Sequence, residues 1–391
     1  MNPKMKYLFC CLACCLVWPW GACKQSYTPP ALDTNPNLLV VDGVLNAGAG
    51  GVTTINLSRT LKIGDSLGAY IPELNDKLVI QGDGGDTYAL TEQGNGTYLS
   101  AAITLNPAKK YRLQIMTSKG VQYLSDYVPV QISPPIDSIS WKQENRDVNI
   151  YLTTHDPANQ SHYYRWDYVE TWEYHSPLQS ILAVVNHRIY YTTFIDSSKQ
   201  TRVCWESQNS PNISLATSVG LSQDVINLTP ITTIVNGSSK LSARYSILVN
   251  EYVLTPTAYQ YWSIIQKNTQ LMGSLFDPQP SQLVGNIHRV NSPEPVIGYL
   301  SASSVQQRRI YIDNGQLNDW DTVAIACQLK TVGQNPSDFA DYPYDNPTFP
   351  YYEPEYLPYY FVTGGIVLAR KACVDCLLRG GTNQKPSYWI P

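Results

Sequence analysis

The chain has 391 residues, of which 43% are hydrophobic and 15% charged, so it is neither a disordered polymer nor a coiled coil. Its length is sufficient for two domains, and its net charge of −4, without basic runs, argues against nucleic acid as the main partner. The 29 tyrosines, 27 prolines and 24 glycines instead indicate an extracellular protein built mainly from β-strands.

Residues 1–22 have the features of a secretion signal. Two lysines precede an uncharged apolar run, Tyr7–Val17, which is shorter than the roughly 20 residues needed to cross a bilayer core. Small residues then precede Cys23 as in a bacterial lipobox, although Trp20 stands where a leucine is usual. We therefore expect Cys23 to be lipidated; the alternative is ordinary cleavage that leaves a free thiol. Residues 23–36 are polar and proline-rich and are interpreted as a tether.

Residues 37–132 are predicted to form an immunoglobulin-like or transthyretin-like β-sandwich. Tyr111, Leu113 and Ile115 alternate with polar residues, which is typical of a strand with one solvated face. Glycine-rich turns separate the short strands. The predicted strands are Leu38–Leu45, Val52–Leu57, Lys77–Gln81, Thr87–Glu92, Gly96–Ala101, Lys110–Thr117 and Gln122–Val130.

Two prolines follow Ser133, and we place a domain boundary at this stiff break. Residues 136–391 are predicted to form a larger β-rich domain. One amphipathic helix is expected to start at Thr255 and Pro256, to stop at Gly273, and to pack its aromatic face against a sheet. Alternating or continuous apolar residues predict the strands of this domain. They are residues 148–152, 164–172, Leu241–Leu254, Val296–Ser301 and Arg309–Ile312.

After Cys23 the chain has four further cysteines, an even number that indicates two disulfides in an oxidising compartment. They are Cys204, Cys327, Cys373 and Cys376, and the sequence leaves their three possible pairings open. The CxxC spacing of the last two is also compatible with a redox motif or half a zinc site. Neither a second ligand pair nor a thioredoxin-like strand-to-helix context accompanies it, so structural disulfides are favoured.

Sequence blocks spread over most of the mature chain resemble a known family. These blocks are Leu39–Val44, Ile55–Arg59, Gly96–Tyr98, Tyr163–Tyr168, Arg244–Ser246, Leu275–Pro280, Gly285–Ile287, Pro295–Tyr299, Cys373–Cys376, Arg379–Gly381, Lys385, Pro386 and Trp389. In this order they resemble the outer-membrane lipoproteins of Bacteroidota that are known as domain of unknown function 4249. The resemblance implies an outer-membrane location and a TonB-dependent transporter as partner, and it brings no catalytic residues.

The stretch from Tyr342 to Phe361 has a tyrosine and proline density far from ordinary composition. One interpretation is a stiff loop that presents aromatic faces to a protein partner or a carbohydrate. The other is a loop that wraps its own domain. The candidate binding residues are Tyr342, Tyr344, Tyr351, Tyr352, Tyr356, Tyr359 and Tyr360. By contrast, the alternating Tyr164, Trp166, Tyr168 and Trp172 are predicted to pack in a core.

Neither catalytic nor cofactor motifs are found in the sequence: it has no GxSxG elbow, HExxH helix, P-loop or Rossmann glycine pattern. His155, Asp156 and His162 form the one tight histidine cluster, and a turn at Asp156 explains it more simply than a metal site. We expect a lipid-anchored, non-enzymatic outer-membrane protein, facing the cell surface, with no cofactor. It would assist a TonB-dependent transporter; a surface adhesive module and a hydrolase are the alternatives.

Overall fold

A computed structural model of the chain describes residues 37–61, 70–185, 188–194, 201–270, 285–321, 326–333 and 354–390. The fold is mainly β, as the sequence predicts. Among the described residues, no helix combines the length and the apolarity that crossing a membrane requires.

The first sheet is formed largely by residues before the two prolines at 134 and 135. Its strands in this part of the chain are β1 Leu39–Asn46, β2 Thr54–Arg59, β3 Ile71–Pro72, β4 Lys77–Gly82, β5 Thr87–Gly94, β6 Thr97–Ser100, β7 Lys110–Met116, β8 Gln122–Ser125 and β9 Val128–Gln131. The seven strands predicted here are confirmed, with the last divided into β8 and β9. Alternating burial along β7 shows why: its apolar side chains enter a core and its polar ones do not.

Two short strands from much later in the chain complete this sheet. They are β19 Ile287–Arg289, which pairs with β8, and β20 Ala302–Ser303, which lies between β1 and β9 in parallel with both. Because β9 also pairs with β7, the sheet closes on itself in the order β7-β4-β5-β6-β2-β1-β20-β9. The predicted sandwich is thus one closed sheet around one core, which includes Ile287 and Leu300.

The predicted strand Val296–Ser301 is wrong over most of its length. Only Ile297 pairs there, in an isolated parallel bridge with Val40. Gly298 follows at φ +142°, and a Cβ atom on it would lie 2.2 Å from the carbonyl oxygen of Val41. This backbone geometry excludes a regular strand, which resumes at Ala302.

A second core lies between a three-stranded and a five-stranded sheet. The strands of the first are β10 Ile136–Glu144, β11 Asp147–His155 and β17 Val225–Ile234. Those of the second are β12 Tyr163–His175, β15 Val203–Asn209, β16 Ser214–Thr217, β18 Arg244–Val253 and β21 Gln306–Asp313. Tyr164, Trp166, Tyr168 and Trp172 of β12 are buried between them, which confirms their predicted packing role.

The predicted helix is α1, Pro256–Gln270, whose first turn is capped by Thr255. Its predicted end at Gly273 lies outside the described residues. Ala258 and Tyr261 on the predicted apolar face are buried, and the helix packs against β12 and β16.

A third, smaller group of strands follows the second core. The hairpin β13 Leu182–Val185 and β14 Arg188–Tyr191 packs on a three-stranded sheet of β22 Leu329–Val332, β24 Gly365–Arg370 and β23 Tyr356–Val362. The short helix α2, Lys371–Val374, and a 3-10 turn, Cys376–Arg379, end this part. Leu182, Ile366 and Leu368 form its core.

Candidate functional site

Strand β12 presents two different faces because successive side chains of a strand point to opposite sides. Tyr164, Trp166 and Tyr168 enter the second core. Arg165 and Asp167, which alternate with them, lie on the other face of the sheet. A charged pair is therefore held on the back of an aromatic core strand.

A row of polar side chains crosses this outer face of the five-stranded sheet. The strand register places Asp167 opposite Asn250 of β18, and Asn250 opposite Gln307 of β21. Asn250 donates from Nδ2 to Oδ1 of Asp167 at 2.6 Å, and Gln307 donates from Nε2 to Oδ1 of Asn250 at 2.8 Å. We call Asp167, Asn250 and Gln307 the polar ladder. Its side chains are fixed by one another before any ligand arrives.

Arg165 is held beside the polar ladder by two aromatic rings. Its guanidinium lies 4.6 Å from the ring centre of Tyr252 and 4.4 Å from that of Trp262 on α1. It donates from Nη2 to Oδ2 of Asp167 at 3.3 Å. Its Nε is buried and has no hydrogen-bond partner in the described part of the chain. Cation–π contacts thus fix the plane of the guanidinium and its orientation relative to Asp167.

Strand β1 of the closed sheet provides the opposite wall of an open cleft of about 300 Å³. Asp42 and Asn46 of β1 face the polar ladder and Arg165 across this space. We call the space lined by these six side chains the polar cleft. Gly43 lies between the two β1 residues at φ +149°, and a Cβ atom on it would lie 2.4 Å from the carbonyl oxygen of Thr54. A side chain is therefore excluded at this position.

The charges of the polar cleft are two carboxylates, Asp42 and Asp167, and one guanidinium, Arg165. Burial raises the pKa of the Tyr252 phenol, so this hydroxyl stays protonated and donates to Asp167 at 3.4 Å. The cleft therefore has a small negative balance and many neutral hydrogen-bonding groups. That combination suits uncharged polar ligands better than anions.

The neighbouring carboxyl of Glu251 points the other way, into the second core. It is fully buried and accepts hydrogen bonds from Trp166 Nε1 at 2.8 Å and Thr154 Oγ1 at 3.1 Å. Burial raises its pKa to about 7. Since these partners are core residues, we assign Glu251 a structural role.

The candidate residues from the sequence lie elsewhere. Cys23, Tyr342, Tyr344, Tyr351 and Tyr352 lie outside the described residues. Tyr356, Tyr359 and Tyr360 are half-buried on β23, where the sequence predicts a loop, and the last two rings meet with their centres 4.8 Å apart. A second space of about 220 Å³ lies beside this strand and is lined by Leu357, Pro358, Arg202 and Asp375, among others.

The four cysteines that follow Cys23 in the sequence form two disulfides. Cys204 on β15 pairs with Cys376, and Cys327 pairs with Cys373, each with 5.8 Å between the Cα atoms. The CxxC residues are therefore in two different bridges rather than in one redox pair. One bridge attaches the C-terminal turn to the second core, and the other closes a loop within the third group of strands.

The histidine cluster does not assemble into a site. Nδ1 of His155 lies 2.7 Å from Asp137, and Nδ1 of His162 lies 3.1 Å from Ser218. Asp156 accepts backbone hydrogen bonds within its own turn, as the sequence predicts. Across the described ranges, no group of three or more histidine, cysteine or acidic side chains is placed to hold a metal ion.

Sequence reasoning missed all six residues of the polar cleft as a site. The alternation on β12 could have indicated two of them, because Arg165 and Asp167 occupy the face of the strand opposite its row of aromatic residues. Two of the blocks that carry the family resemblance, Leu39–Val44 and Tyr163–Tyr168, meet across the cleft. Their meeting depends on tertiary packing, which a strand pattern does not reveal.

Comparisons with known proteins identify a family and include a weak structural likeness. A family model described as a domain of unknown function, DUF4249, matches residues 25–309. No curated protein matches the chain. A candidate carbohydrate-binding protein from Bacteroides uniformis ATCC 8492 is 10% identical, with 57% of this chain and 92% of that chain covered and a TM-score of 0.16. At that TM-score the likeness supports no conclusion about fold or ligand.

Proposed function

The chain belongs to DUF4249, a family defined by a domain of unknown function, and from this premise we propose that it is a non-enzymatic outer-membrane lipoprotein that captures a ligand for a TonB-dependent transporter. The observation that carries the proposal is the polar cleft. Its polar ladder and its stacked Arg165 are held in place by hydrogen bonds and ring contacts within the protein. Such a preformed site binds a ligand without the entropic cost of ordering its own side chains.

Attachment to the membrane is proposed to occur through acyl chains on Cys23. Each buried methylene contributes about 0.8 kcal/mol, so several chains on one residue hold a protein at a bilayer durably. The polar residues 24–36 would then separate the anchor from the folded body. The protein would thereby stay beside a transporter while its cleft remains accessible.

The test is purification of the full-length protein from outer membranes in a mild detergent. We expect a TonB-dependent transporter to co-purify, and the Cys23→Ser variant to move to the soluble fraction and lose this partner. Met5→Ser, a change in the same signal that spares the cysteine, is the control. Absence of any transporter, or full membrane attachment of the Cys23→Ser variant, would contradict the proposal. Loss of cell attachment with normal nutrient uptake after gene deletion would favour the adhesive alternative.

A further inference from the structure

We propose that the polar cleft binds a neutral, polyhydroxylated ligand, namely a segment of an uncharged oligosaccharide. The inference rests on the proposed capture function and goes beyond it by naming the class of ligand.

The hydrogen-bonding groups of the cleft match those of vicinal hydroxyls. A hydroxyl donates one hydrogen bond and accepts others, so it needs acceptors and donors side by side. Asp42 lines the cleft with two carboxylate oxygens and forms no side-chain hydrogen bond or ion pair within the described residues. Arg165, Asn250 and Gln307 supply N–H donors on the opposite wall. Because these groups are planar and mostly fixed, two adjacent hydroxyls can bind one side chain at two points.

Charge disfavours an anionic ligand at this position. Two carboxylates face one guanidinium, and that guanidinium already donates to Asp167. A phosphate or a uronic acid would meet repulsion from Asp42 and Asp167 in a partly enclosed space.

The strand arrangement disfavours a peptide. An extended peptide gains affinity by adding to a free sheet edge, where its main chain can pair. Of the strands that line the cleft, β1 pairs with β2 and β20, and β18 pairs with β12 and β21, so both are paired on each side. β21 is the last strand of the five-stranded sheet, but Gln307 reaches the cleft through its side chain, which bonds to Asn250. The polar ladder therefore lies on the face of a sheet, where only side chains are offered.

The volume agrees with a small polar ligand. A space of about 300 Å³ is far larger than one ion or one water molecule needs. It equals the lower end of the range for small-molecule sites, roughly 300 to 1,000 Å³. Asp42 is exposed, so a longer chain can leave the cleft on that side.

The experiment is calorimetric titration of the full-length protein in a polyoxyethylene detergent, since detergents with sugar headgroups would compete. The probes are hexamers of β-1,4-linked glucose, mannose and xylose, α-1,4-linked glucose, and the anionic hexamer of galacturonic acid. We expect at least one neutral hexamer to bind, with affinity lowered about tenfold or more by Asp167→Asn and by Asn250→Ala. Asn149→Ala removes a similar amide from the outer side of β11 and is the matched control.

Asp42→Asn gives a third cleft variant whose folding is not in question, because Asp42 is exposed and has no side-chain hydrogen bond or ion pair to lose within the described residues. It too should weaken the neutral hexamer. Failure of all four neutral hexamers to bind, preference for the anionic hexamer, or binding that the three cleft variants leave unchanged would overturn the ligand class. Sugar binding by a protein that recovers no transporter would instead count against the proposed function alone.

Discussion

At the scale of single residues, Glu251 has an unusual environment for an acidic side chain. A carboxyl enclosed among aromatic residues holds its proton because its charged form would lose its hydration. The pKa of Glu251 is about 7, against an ordinary value of 4.5. Between these two pH values the folded protein binds more protons than the unfolded chain. Stability from this residue is therefore greatest below pH 4.5 and falls as the pH rises through 7.

We expect Glu251→Gln to abolish this part of the pH dependence. The amide, like the protonated carboxyl, can bond to both Trp166 and Thr154, but it does not titrate. The free energy of unfolding, obtained from urea titrations at pH 5 and pH 7.5, should fall between these pH values by up to roughly 3 kcal/mol more in the wild type than in the variant. Asp76, whose pKa burial raises to about 6, titrates in both proteins and cancels in the difference. Equal pH dependence in the two proteins would refute the assignment.

Gly43 provides a second test at this scale. An added Cβ atom would collide with the carbonyl oxygen of Thr54 and also require an unfavourable φ. Gly43→Ala should lower stability by about 1–3 kcal/mol, measured as a fall in the thermal midpoint. Gly315→Ala is the control, because a Cβ atom there has no neighbour within 4 Å and its φ is ordinary. An equal effect of both changes would mean that the collision is relieved elsewhere.

At the scale of elements, the C-terminal turn is attached to the second core by several contacts that include one disulfide. Cys204 and Cys376 are fully buried, and Tyr174 donates from its hydroxyl to the carbonyl of Cys376 at 3.0 Å. A bridge between such distant parts of the chain restricts the unfolded state strongly. Its partner bridge, Cys327–Cys373, lies within the third group of strands.

The double variant Cys204→Ala/Cys376→Ala should lose about 2–4 kcal/mol of stability. Cleavage by trypsin near the C-terminus should begin at a lower urea concentration, because the turn separates from β15 more easily. Cys327→Ala/Cys373→Ala is the comparison, and it should leave the tryptophan fluorescence transition of the second core close to wild type. Equal loss in both variants would show that the two bridges stabilise one common unit.

Most elements follow from local patterns in the sequence, and the exceptions have physical reasons. Period-two alternation was sufficient for β7, and cap and proline signals for α1. The two- and three-residue strands β19 and β20 carry too little sequence for any periodicity. They form because the edges of β8 and β1 carry backbone N–H and C=O groups that need hydrogen-bond partners, which β19 and β20 supply. The row of aromatic residues on β12 revealed the core, but its polar neighbours became a site only through the approach of β1.

At the scale of the whole molecule, the segment that connects the two larger cores is buried at Ser133 and is hydrogen-bonded to later parts of the chain. Ser133, at the predicted boundary, accepts at Oγ from the backbone N–H of Val253 at 3.0 Å, and its own backbone N–H donates to Ser304 Oγ at 2.8 Å. The closed sheet also needs β19 and β20, which come from residues after 285. Neither core is therefore supplied by one uninterrupted stretch of chain.

A fragment of residues 37–132 should consequently fail to fold by itself. Without β20 and its flanking residues, the backbone N–H groups of Val41, Leu45 and Ala47 lose their acceptors, and part of the first core is missing. Heteronuclear NMR spectra of the fragment should lack the signal dispersion of a folded protein, and its urea titration should show no cooperative transition, whereas the full chain should show both. A folded fragment would establish residues 37–132 as an autonomous domain.

The late arrival of β20 has a further consequence during synthesis. A chain that emerges N-terminus first leaves one side of β1 uncovered until roughly 250 more residues have followed. An uncovered strand edge pairs readily with a neighbouring nascent molecule, which leads to aggregates. Production of this protein should therefore depend on chaperones that shield the edge in the meantime, and slower translation alone would lengthen the period of risk.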